Sequence, residues 1–329
     1  MARRRGAVLL AFLGGMLIIA TGCSSGDTEP TAEAASGAFP VTITHEFGET
    51  TIPSEPTRVV TAGFNGQDFT LALGVQPVGV REYLGYDAPE RPWAQDMLSG
   101  EPIPTVGSQE LDLEKIAAVQ PDLILAINAY LDQDTYALLS KIAPTVAQSA
   151  DYAQGNTPWQ EQLRTTATAI GRTDQVDPMI ARTDEAFDTA VAQHPEFQGR
   201  TATLAMLSDG ATTVFGPDDY RTQWLKRLGF TIPDTDGPIS AERYDLLDTD
   251  VLVTEGDQSV LDNSAVFTNL GVARDGRIVH LGGFDDDFAG ALGFNSALSL
   301  GYVLDVAVPR LSAAVDGDPS TAVEPSTGG

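Results

Sequence analysis

A helix-then-strand pattern occurs twice in this chain, once in each half. The first copy reads LDLEKIAAVQPDLILAI at residues 111–127, and the second reads ISAERYDLLDTDVLVT at residues 239–254. Each copy has a Glu near the start of a short helix and an Asp eight positions later, giving the pairs Glu114 with Asp122 and Glu242 with Asp250. The short apolar runs that follow each Asp indicate buried strands of parallel sheets. The repeat therefore predicts two α/β lobes of similar build.

Asp112 and Ser240 stand where helix N-caps are expected. Glu114 and Glu242 then lie in the first helical turn, where the helix dipole favours a carboxylate by about 0.3–1 kcal/mol. That electrostatic role is sufficient for a single exposed Glu. Because two occur at matching places, a second interpretation stays open, in which each lobe presents one Glu to a partner.

Composition limits the classes of ligand. The 329 residues are too many for one ordinary core and suit two lobes. The net charge is -27, and removal of three leader Arg makes the mature part about -30, which disfavours nucleic acid and anionic lipid as ligands. Three His and one Cys cannot build a His-rich zinc cage or a Cys cluster. We expect no metal held by protein side chains and no cofactor.

The N-terminus has the order of a secretory leader. Three consecutive Arg precede an apolar run at residues 6–20, and Thr21-Gly22-Cys23 follows. The run is too short to span a bilayer comfortably. We interpret residues 1–22 as a signal peptide and residues 23–38, rich in Ser, Thr, Glu, Ala and Gly, as a flexible tether. A plain cleaved signal with an incidental Cys23 is the alternative.

The remaining sequence divides into four parts. Residues 39–172 are predicted to form the N-terminal α/β lobe, beginning with a hairpin at 41–52 and including a helix at 66–73 that Asn65 caps with help from Asp68. Residues 173–197 are predicted to form a single linking helix, of which about 18 residues would span roughly 27 Å. Residues 198–315 form the C-terminal α/β lobe, and residues 316–329 a disordered tail.

Ligands of open α/β sheets gather beyond the carboxyl ends of the strands, so the ligand-binding cleft is predicted there, between two Rossmann-like lobes. The candidate ligand-binding residues of this edge are Phe64, Asn65, Arg81, Tyr83 and Tyr130 in the first lobe, and Phe215, Tyr220, Arg221, Trp224 and Phe284 in the second. Aromatic rings with a few Arg suit a bulky chelate that carries oxygen atoms on its surface. Each Tyr or Trp could equally be a core residue.

An enzyme is the alternative of another class. A secreted α/β hydrolase would need a nucleophile such as the Ser of a G-x-S-x-G elbow, but Ser208-Asp209-Gly210 lacks that pattern. His194 is predicted to lie at the surface and His280 to be packed within a strand. No dinucleotide-binding or P-loop motif occurs. The sequence therefore favours a binding protein over an enzyme.

An ordered set of short motifs resembles one protein family. The set comprises the lipobox-like segment at Cys23 and, in chain order, PTRVV at 56–60, LALGVQPVGV at 71–80, LEKIAAVQPDLIL at 113–125, KIAPT at 141–145, LGF at 228–230, SAERYDLLDTDVLV at 240–253 and GRIVHL at 276–281. The chain resembles the substrate-binding lipoproteins of ABC importers for ferric siderophores, haem or cobalamin. The resemblance covers nearly all of the mature chain.

The resemblance implies two α/β lobes joined by one long helix, a shallow cleft and little hinge motion. It also implies that Cys23 is lipid-modified, which places the protein on the outer face of the cytoplasmic membrane. Glu114 and Glu242 would dock into Arg-lined pockets of a permease, which works with an ATPase. The protein would be a monomer, and the iron would be held by the siderophore.

The type of ligand remains open between several chelates. The predicted cleft holds few basic residues, Arg81, Arg221 and Arg91, next to the acidic run Asp285-Asp286-Asp287. This balance gives a slight preference to neutral or cationic ferric hydroxamates over trianionic catecholates. Haem or cobalamin is the alternative within the family, and Tyr83, Tyr130 or Tyr220 could supply an axial haem ligand.

Two mutational expectations follow. Substitution of Arg81 or Trp224 by Ala should weaken siderophore binding with nearly no change in the thermal transition, because both are expected to be exposed cleft residues. Substitution of both Glu114 and Glu242 by Ala should abolish uptake while ligand affinity stays intact, at a cost of no more than about 1 kcal/mol in stability.

Overall fold

The computed structural model describes residues 39–82, 91–208, 210–283, 286–293, 295–318 and 320–324. The predicted leader, Cys23 and the tether lie outside these residues, as do the candidate ligand residues Tyr83 and Phe284. The first described element is an antiparallel hairpin of β1 (Val41–His45) and β2 (Gly48–Ile52). The hairpin at 41–52 is therefore confirmed.

The first sheet is fully parallel and is ordered β4-β3-β5-β6. Its strands are β3 (Val59–Thr61), β4 (Gly79–Val80), β5 (Leu123–Ala126) and β6 (Thr145–Ala147). Its helices are α1 (Gly66–Ala72), α2 (Leu113–Ala118), α3 (Gln133–Leu139) and α4 (Trp159–Ile170). Leu123 and Leu125 pack into one hydrophobic cluster and Ile124 and Ala126 into another, so β5 is buried on both faces. These elements form the first lobe.

The turn after β3 comes very close to the end of β5. A Cβ atom on Gly63 would lie 1.9 Å from the carbonyl oxygen of Ile127. Only glycine fits at this position, because any side chain would separate the two strand ends. The close approach brings Phe64 and Asn65 beside the segment 128–130, where the first lobe forms its side of the cleft.

Helix α5 (Val176–Gln193) follows the first sheet in the chain and precedes the second. It is 18 residues long, which agrees with the predicted length of the linking helix. The predicted range 173–197 is broken at both ends, because Thr173–Gln175 and Pro195–Phe197 are 3-10 turns. Pro195 has no N–H for a continuing helix, which accounts for the break at His194.

The second sheet is mixed and is ordered β11-β10-β7-β8-β9. Its strands are β7 (Ala202–Ser208), β8 (Ala211–Phe215), β9 (Gly237–Ile239), β10 (Val251–Gly256) and β11 (Ile278–His280). Strands β7, β10 and β11 are parallel, and β8 and β9 are antiparallel to their neighbours. The two-sheet α/β architecture predicted from the repeat is confirmed.

Short helices surround this sheet and complete the second lobe. They are α6 (Gln223–Arg227), α7 (Ser259–Asp262), α8 (Gly271–Arg274), α9 (Asp287–Gly293) and α10 (Ser299–Val315). Tyr220–Thr222, Ala241–Leu247, Phe267–Asn269 and, in the first lobe, Pro92–Met97 are 3-10 segments. Trp159 packs against the hydrophobic clusters of both lobes, and the residues from 39 onward form one packed body. The lobe boundaries at 172 and 198 therefore remain predictions.

The Asp of each repeat holds the start of a neighbouring strand. Asp122 accepts hydrogen bonds from the backbone N–H groups of Thr57 and Arg58, both at 2.8 Å, immediately before β3. Asp250 accepts one from the backbone N–H of Thr201, also at 2.8 Å, immediately before β7. The threonine hydroxyl bonds the same carboxylate in both lobes, at 2.8 Å. We call these two arrangements the strand-start clamps.

The helix caps agree only in part with the sequence predictions. Asp112 caps α2 by accepting a 3.0 Å hydrogen bond from the backbone N–H of Lys115. Ser240 makes no such bond, and the segment it precedes is a kinked 3-10 helix rather than an α-helix. Asn65 occupies the N-cap position of α1, but its side chain makes no capping hydrogen bond. The predicted caps at Ser240 and Asn65 are therefore wrong.

Asp68, expected to support the Asn65 cap, instead lies at the centre of a buried network. It accepts hydrogen bonds from the Trp93 indole at 2.9 Å and from the Ser296 hydroxyl at 3.0 Å, and forms an ion pair with Arg91 at 3.4 Å. Asp68 and Arg91 are 1% and 2% exposed. We call these four residues the interlobe network, because Asp68 belongs to the first lobe and Ser296 precedes α10 of the second. Arg91, predicted to be a basic residue of the cleft, is therefore buried inside the protein instead.

The predicted tail is ordered near its start. Val323 packs against the hydrophobic core of the second lobe, and the Arg310 guanidinium donates a 3.0 Å hydrogen bond to the carbonyl of Glu324. The expectation of disorder from residue 316 onward therefore does not hold for these residues, and residues 325–329 lie outside the described chain. Across the described ranges, no helix is both long enough and apolar enough to cross a bilayer.

Candidate functional site

A cavity of about 480 Å³ opens between the two lobes. We call it the cleft cavity. Its walls combine residues that follow β3 and β5 of the first lobe, the start of α4, and the segment after β8 of the second lobe. The polar and aromatic residues of this wall include Asn65, Asn128, Tyr130, Thr157, Tyr220 and Asn295. The position agrees with the rule that ligands bind beyond the carboxyl ends of strands.

The structure brings three of the predicted ligand residues into this wall. Asn65 and Tyr130 come from the first lobe and Tyr220 from the second. Tyr130 is 55% exposed, whereas Asn65 is fully buried except toward the cavity. Of the other predicted residues that the structure describes, Phe64, Arg81, Phe215, Arg221 and Trp224 are not part of the cavity wall.

Tyr130 has an unusual backbone conformation for a bulky residue. Its φ is 54°, and Asn128, two positions earlier, has a φ of 55°. Asn tolerates this left-handed region, but an aromatic residue adopts it only when its surroundings impose it. The Tyr130 ring contacts Phe64 at 5.8 Å between centroids, and its hydroxyl would lie 2.0 Å from a Cβ on Gly155. The Tyr130 ring is therefore fixed in place although it faces solvent, as expected of a ligand contact.

Arg81 does not lie on the surface of the cleft. It is 5% exposed, and its guanidinium donates to the carbonyls of Ser108 at 2.7 Å, Ala129 at 2.8 Å, and Gln109. The guanidinium also stacks 3.9 Å above the Phe64 ring. The expectation that Arg81 is an exposed cleft residue is wrong, because Ser108 and Gln109 after β4 and Ala129 after β5 surround the guanidinium with carbonyl groups.

Arg221 repeats this arrangement in the second lobe. Its guanidinium lies 3.5 Å above the Phe215 ring and forms two hydrogen bonds with the Asp219 carboxylate, at 2.8 and 2.7 Å. Phe215 is 3% exposed, so it supports Arg221 from below. Each lobe thus places one Arg on a Phe near a strand end, and in each case protein acceptors bind the guanidinium.

Two further expectations need correction. Trp224 is 2% exposed and belongs to the core of the second lobe, where it contacts Phe288 edge-on. Arg91 is paired with Asp68 inside the interlobe network. Neither side chain is an exposed cleft residue. Substitution of Trp224 or Arg81 by Ala is therefore expected to lower stability, contrary to the sequence expectation.

Burial alters the ionisation of two groups near the cleft. Desolvation raises the pKa of Tyr220 to about 12, and the Tyr220 hydroxyl donates a 3.2 Å hydrogen bond to the carbonyl of Gly293. Desolvation also raises the pKa of Glu255, at the end of β10, to about 7, although the Arg221 charge acts in the opposite direction. Tyr220 is thus a neutral hydrogen-bond donor at physiological pH.

The cleft cavity also has polar groups that the candidate set does not include. The Asn128 and Asn295 amide oxygens and the Thr157 hydroxyl are buried and have no hydrogen-bond partner in the described residues. Buried polar groups are normally paired, so three unpaired ones in one cavity wall indicate sites for ligand atoms. No local motif marks Thr157 or Asn295. Asn128 was detectable, because it directly follows the apolar run that predicted β5.

The remaining predicted residues lie away from the cleft cavity. Glu114 and Glu242 are both exposed, each at the start of its helical segment. His194 is half-buried. Its ring pairs with the Glu196 carboxylate at 2.8 Å and stacks on the Phe197 ring. His280 lies in β11 with Thr254 at 3.1 Å, which agrees with the prediction of a packed residue. The side chain of His194 is 23% exposed, so it lies at the surface in part.

The arrangement suits binding rather than direct metal ligation. Aromatic rings, amides and a hydroxyl line the cleft cavity, together with the carboxylates of Asp218 and Asp219. Within the described ranges, no three His, Cys, Asp or Glu side chains come together as a metal site. Such a wall can enclose an organic ligand by ring contacts and by hydrogen bonds to its oxygen and nitrogen atoms.

Comparison with solved structures identifies the fold. A crystal structure of a periplasmic solute binding protein from Mycobacterium smegmatis str. MC2 155 is 36% identical and superposes with a TM-score of 0.75, covering 84% of this chain and 98% of that chain. The Streptococcus pneumoniae TIGR4 protein PiaA, crystallised in complex with ferrichrome, is 23% identical with a TM-score of 0.70, covering 84% and 99%. At that identity the second likeness concerns the fold alone.

Comparison with known sequences agrees with the structural comparison. The probable siderophore-binding lipoprotein YfiY of Bacillus subtilis (strain 168) is 28% identical over 231 residues, covering 69% of this chain and 68% of that protein. A family model described as periplasmic binding protein matches residues 71–282, which include the second sheet, helix α5 and the first sheet apart from β3, but not the hairpin or the closing helices. Because this match extends over more than half of the sequence, the chain belongs to the periplasmic binding protein family.

Proposed function

We propose that this protein is the extracytoplasmic solute-binding component of an ABC importer that captures a ferric siderophore and delivers it to a membrane permease. Family membership supports a binding role. Two relatives in Bacillus subtilis (strain 168) support the ligand class, since one is a probable siderophore-binding lipoprotein and the other an Fe(3+)-citrate-binding protein. The ligand would fill the cleft cavity, whose volume of about 480 Å³ is in the range of small-molecule sites.

We further propose a preference for neutral or cationic hydroxamate chelates. The observation that carries this preference is the state of the three basic residues predicted at the cleft. Arg81 is bound to backbone carbonyls, Arg91 to Asp68, and Arg221 to Asp219. A trianionic catecholate complex calls for uncompensated positive charge, whereas the wall of the cleft cavity contains the further acidic residue Asp218.

A charge series of ferric chelates tests the proposal. Quenching of tryptophan fluorescence would be titrated with cationic ferrioxamine B, neutral ferrichrome and trianionic ferric enterobactin, with haemin as a fourth ligand. We expect the two hydroxamates to bind at least tenfold more tightly than enterobactin. Tighter binding of ferric enterobactin than of the two hydroxamates would refute the charge preference. If haemin binds, as seen in its Soret band, and none of the three ferric siderophores binds, the siderophore assignment is refuted.

A pair of variants locates the ligand in this experiment. Tyr130→Ala removes an exposed ring from the wall of the cleft cavity and should weaken hydroxamate binding about tenfold or more. Tyr152→Ala removes a half-buried Tyr of the same lobe that does not line the cavity and serves as the control. Equal affinities of the two variants would place the ligand elsewhere.

The proposed contact with the permease uses Glu114 and Glu242. Both are exposed, both precede a strand-start clamp by eight positions, and they belong to different lobes. Two separated carboxylates can fix the orientation of a docked protein, whereas one would leave rotation free. Glu114→Ala with Glu242→Ala should abolish uptake of radioactive ferric chelate in cells while binding in solution is unchanged.

A charge-matched control separates docking from net charge. Glu49 and Glu185 are also exposed, on β2 and α5, and their double substitution by Ala removes the same two charges. We expect uptake to persist in that control. Uptake that survives in the Glu114 and Glu242 variant would leave only the helix-dipole role for these residues.

Attachment to the membrane is proposed through Cys23. The proposal is supported by the leader-like residues before it and by the word lipoprotein in the names of relatives. Metabolic labelling with palmitate should mark the wild-type protein and not Cys23→Ala. Release of unlabelled Cys23→Ala into the medium is expected, and equal labelling of both proteins would contradict the proposal.

A further inference from the structure

A second cavity lies next to the cleft cavity. It has a volume of about 360 Å³, and we call it the side cavity; its wall includes Trp159, Thr183, Phe187, Trp224, Asn295 and Leu300. Four residues line both cavities, namely Trp159, Gln160, Gln223 and Asn295. The two cavities are therefore neighbours that share part of their walls. The side cavity extends from this wall toward helix α5.

Two polar groups of the side cavity have no hydrogen-bond partner among the residues that the structure describes. Trp224 is 2% exposed, and its indole Nε1–H meets no acceptor there; the Asn295 amide oxygen is buried and meets no donor there. An indole can only donate a hydrogen bond, and an amide oxygen can only accept one. A ligand that satisfies both must offer an acceptor and a donor. A secondary amide, with its C=O and N–H groups, has this combination.

The rest of the side cavity favours an uncharged ligand with apolar parts. Trp159, Phe187 and Leu300 supply apolar contacts. The basic residues at its wall are already engaged, because Arg227 pairs with Asp184 and Asp188 at 3.1 Å and Lys226 donates to the carbonyl of Pro217 at 2.7 Å. Among the described charged residues of this wall, Asp184 and Arg227 are thus paired with each other, and Lys226 is exposed and bound to a neutral carbonyl.

We propose that the side cavity binds a neutral, amide-bearing arm of the same chelate whose iron-containing core occupies the cleft cavity. The proposal rests on the proposed siderophore function and narrows its substrate class to chelates with such an arm. A compact chelate without an arm would fill the cleft cavity alone. Trp224 is then a specificity-determining residue, although it lies outside the cleft cavity.

The indole N–H signals of the protein provide a direct test. The chain has three Trp, so a nitrogen-15 spectrum shows three indole signals, assigned by single Trp→Phe variants. Trp93 already donates to Asp68 at 2.9 Å and is an internal control. The probes are diamagnetic gallium(III) complexes of N-acetyl-desferrioxamine B, which has a free arm ending in an amide, and of cyclic desferrioxamine E, which has none.

Both chelates should shift the Trp159 signal, but only the armed chelate should shift the Trp224 signal downfield, as expected for a new hydrogen bond. Trp224→Phe keeps an aromatic ring and removes the donor, so it should lose about tenfold in affinity for the armed chelate and nothing for the cyclic one. The proposal is overturned if the armed chelate shifts Trp159 and not Trp224. The proposal is also overturned if Trp224→Phe loses affinity equally for the armed and for the cyclic chelate.

Failure of the siderophore function would be recognised separately. If neither chelate shifts Trp159, the hydroxamate assignment fails, and the small aryl amide acetanilide at millimolar concentration then tests the side cavity alone. A downfield shift of the Trp224 signal with acetanilide retains the amide site, and an unchanged signal removes it. Trp93 should not respond in either case.

Discussion

The Asp68 carboxylate of helix α1 accepts a 3.0 Å hydrogen bond from the hydroxyl of Ser296, which stands 228 positions later in the chain. Arg91 and Trp93 bind the same carboxylate, so one buried acceptor connects three segments. The Ser296 hydroxyl also accepts from the backbone N–H of Ser299 at the start of α10. This connection ties the closing helix of the second lobe to the first helix of the first lobe.

Removal of the Asp68 charge should be strongly destabilising. Asp68→Asn leaves the Arg91 guanidinium buried without its counter-ion, and a broken buried ion pair costs about 3–5 kcal/mol. Ser296→Ala keeps the ion pair and removes one hydrogen bond to a charged group, at a cost of about 1.5–3 kcal/mol. The free energy of unfolding measured in urea should be lowest for Asp68→Asn, intermediate for Ser296→Ala and highest for the wild type. Equal stabilities of the two variants would show that the ion pair contributes nothing beyond the hydrogen bond.

Arg81 and Tyr130 should separate stability from binding. Arg81→Ala leaves the buried carbonyls of Ser108 and Ala129 without donors and should lower the free energy of unfolding by about 3 kcal/mol. Tyr130→Ala, at a position 55% exposed, should change it by less than about 0.5 kcal/mol. Thermal unfolding without ligand measures both values. A thermal transition of Arg81→Ala at the wild-type temperature would contradict the structural role assigned to Arg81.

Glu255 should make stability depend on pH in the neutral range. Its folded pKa is about 7, while an unfolded Glu titrates near about 4.3, so the folded state holds the proton more tightly. Its contribution to stability is complete below about pH 4.3 and is lost as the pH rises to about 7, a change on the order of 3 kcal/mol. Glu255→Gln cannot ionise and should gain stability relative to the wild type over this interval. Parallel stability curves for the two proteins between pH 4 and 8 would refute the assignment.

The strand-start clamps should weaken in acid. Hydrogen bonds from Thr57 and Arg58 outweigh partial burial and hold the pKa of Asp122 below its usual range, and those from Thr201 and Arg200 do the same for Asp250. A lowered folded pKa gives a contribution that is present above the unfolded pKa of about 3.9 and is lost as the pH falls further. Asp122→Asn should cost on the order of 1 kcal/mol at neutral pH and less below pH 4. A cost that does not shrink in acid would contradict the clamp.

The sequence predicted what depends on local pattern. The hairpin, helix α4, the Asp112 cap and the paired Glu and Asp of the repeat follow from spacing and residue type within short windows. The roles of Arg81 and Asp68 do not follow from spacing. The Arg81 guanidinium binds carbonyl groups that lie 27 and 48 positions later in the chain. The hydrogen-bond partners of Asp68 lie 23, 25 and 228 positions later. Long-range polar contacts of this kind leave no periodic trace in the chain.

The limit of local patterns also explains which residues of the cleft cavity were predicted and which were missed. The rule on strand ends located Asn65, Tyr130 and Tyr220, because it uses only where strands stop. It missed Thr157, which precedes α4, and Asn295, which lies between α9 and α10, since neither follows a strand. It also could not tell Phe215 and Trp224, which support the site from the core, from rings that face a ligand.

The strand-start clamps lie at the amino ends of β3 and β7, whereas the cleft cavity lies beyond the carboxyl ends of strands. Alignment of the sheets is thus secured at one end of each lobe, and ligand contacts are made at the other. A mutation near Tyr130 or Tyr220 can alter which ligand is preferred without loosening the hydrogen bonds at Asp122 or Asp250. During evolution such a chain can exchange one ligand for another at little risk to its folding, because selection acts on the two ends separately.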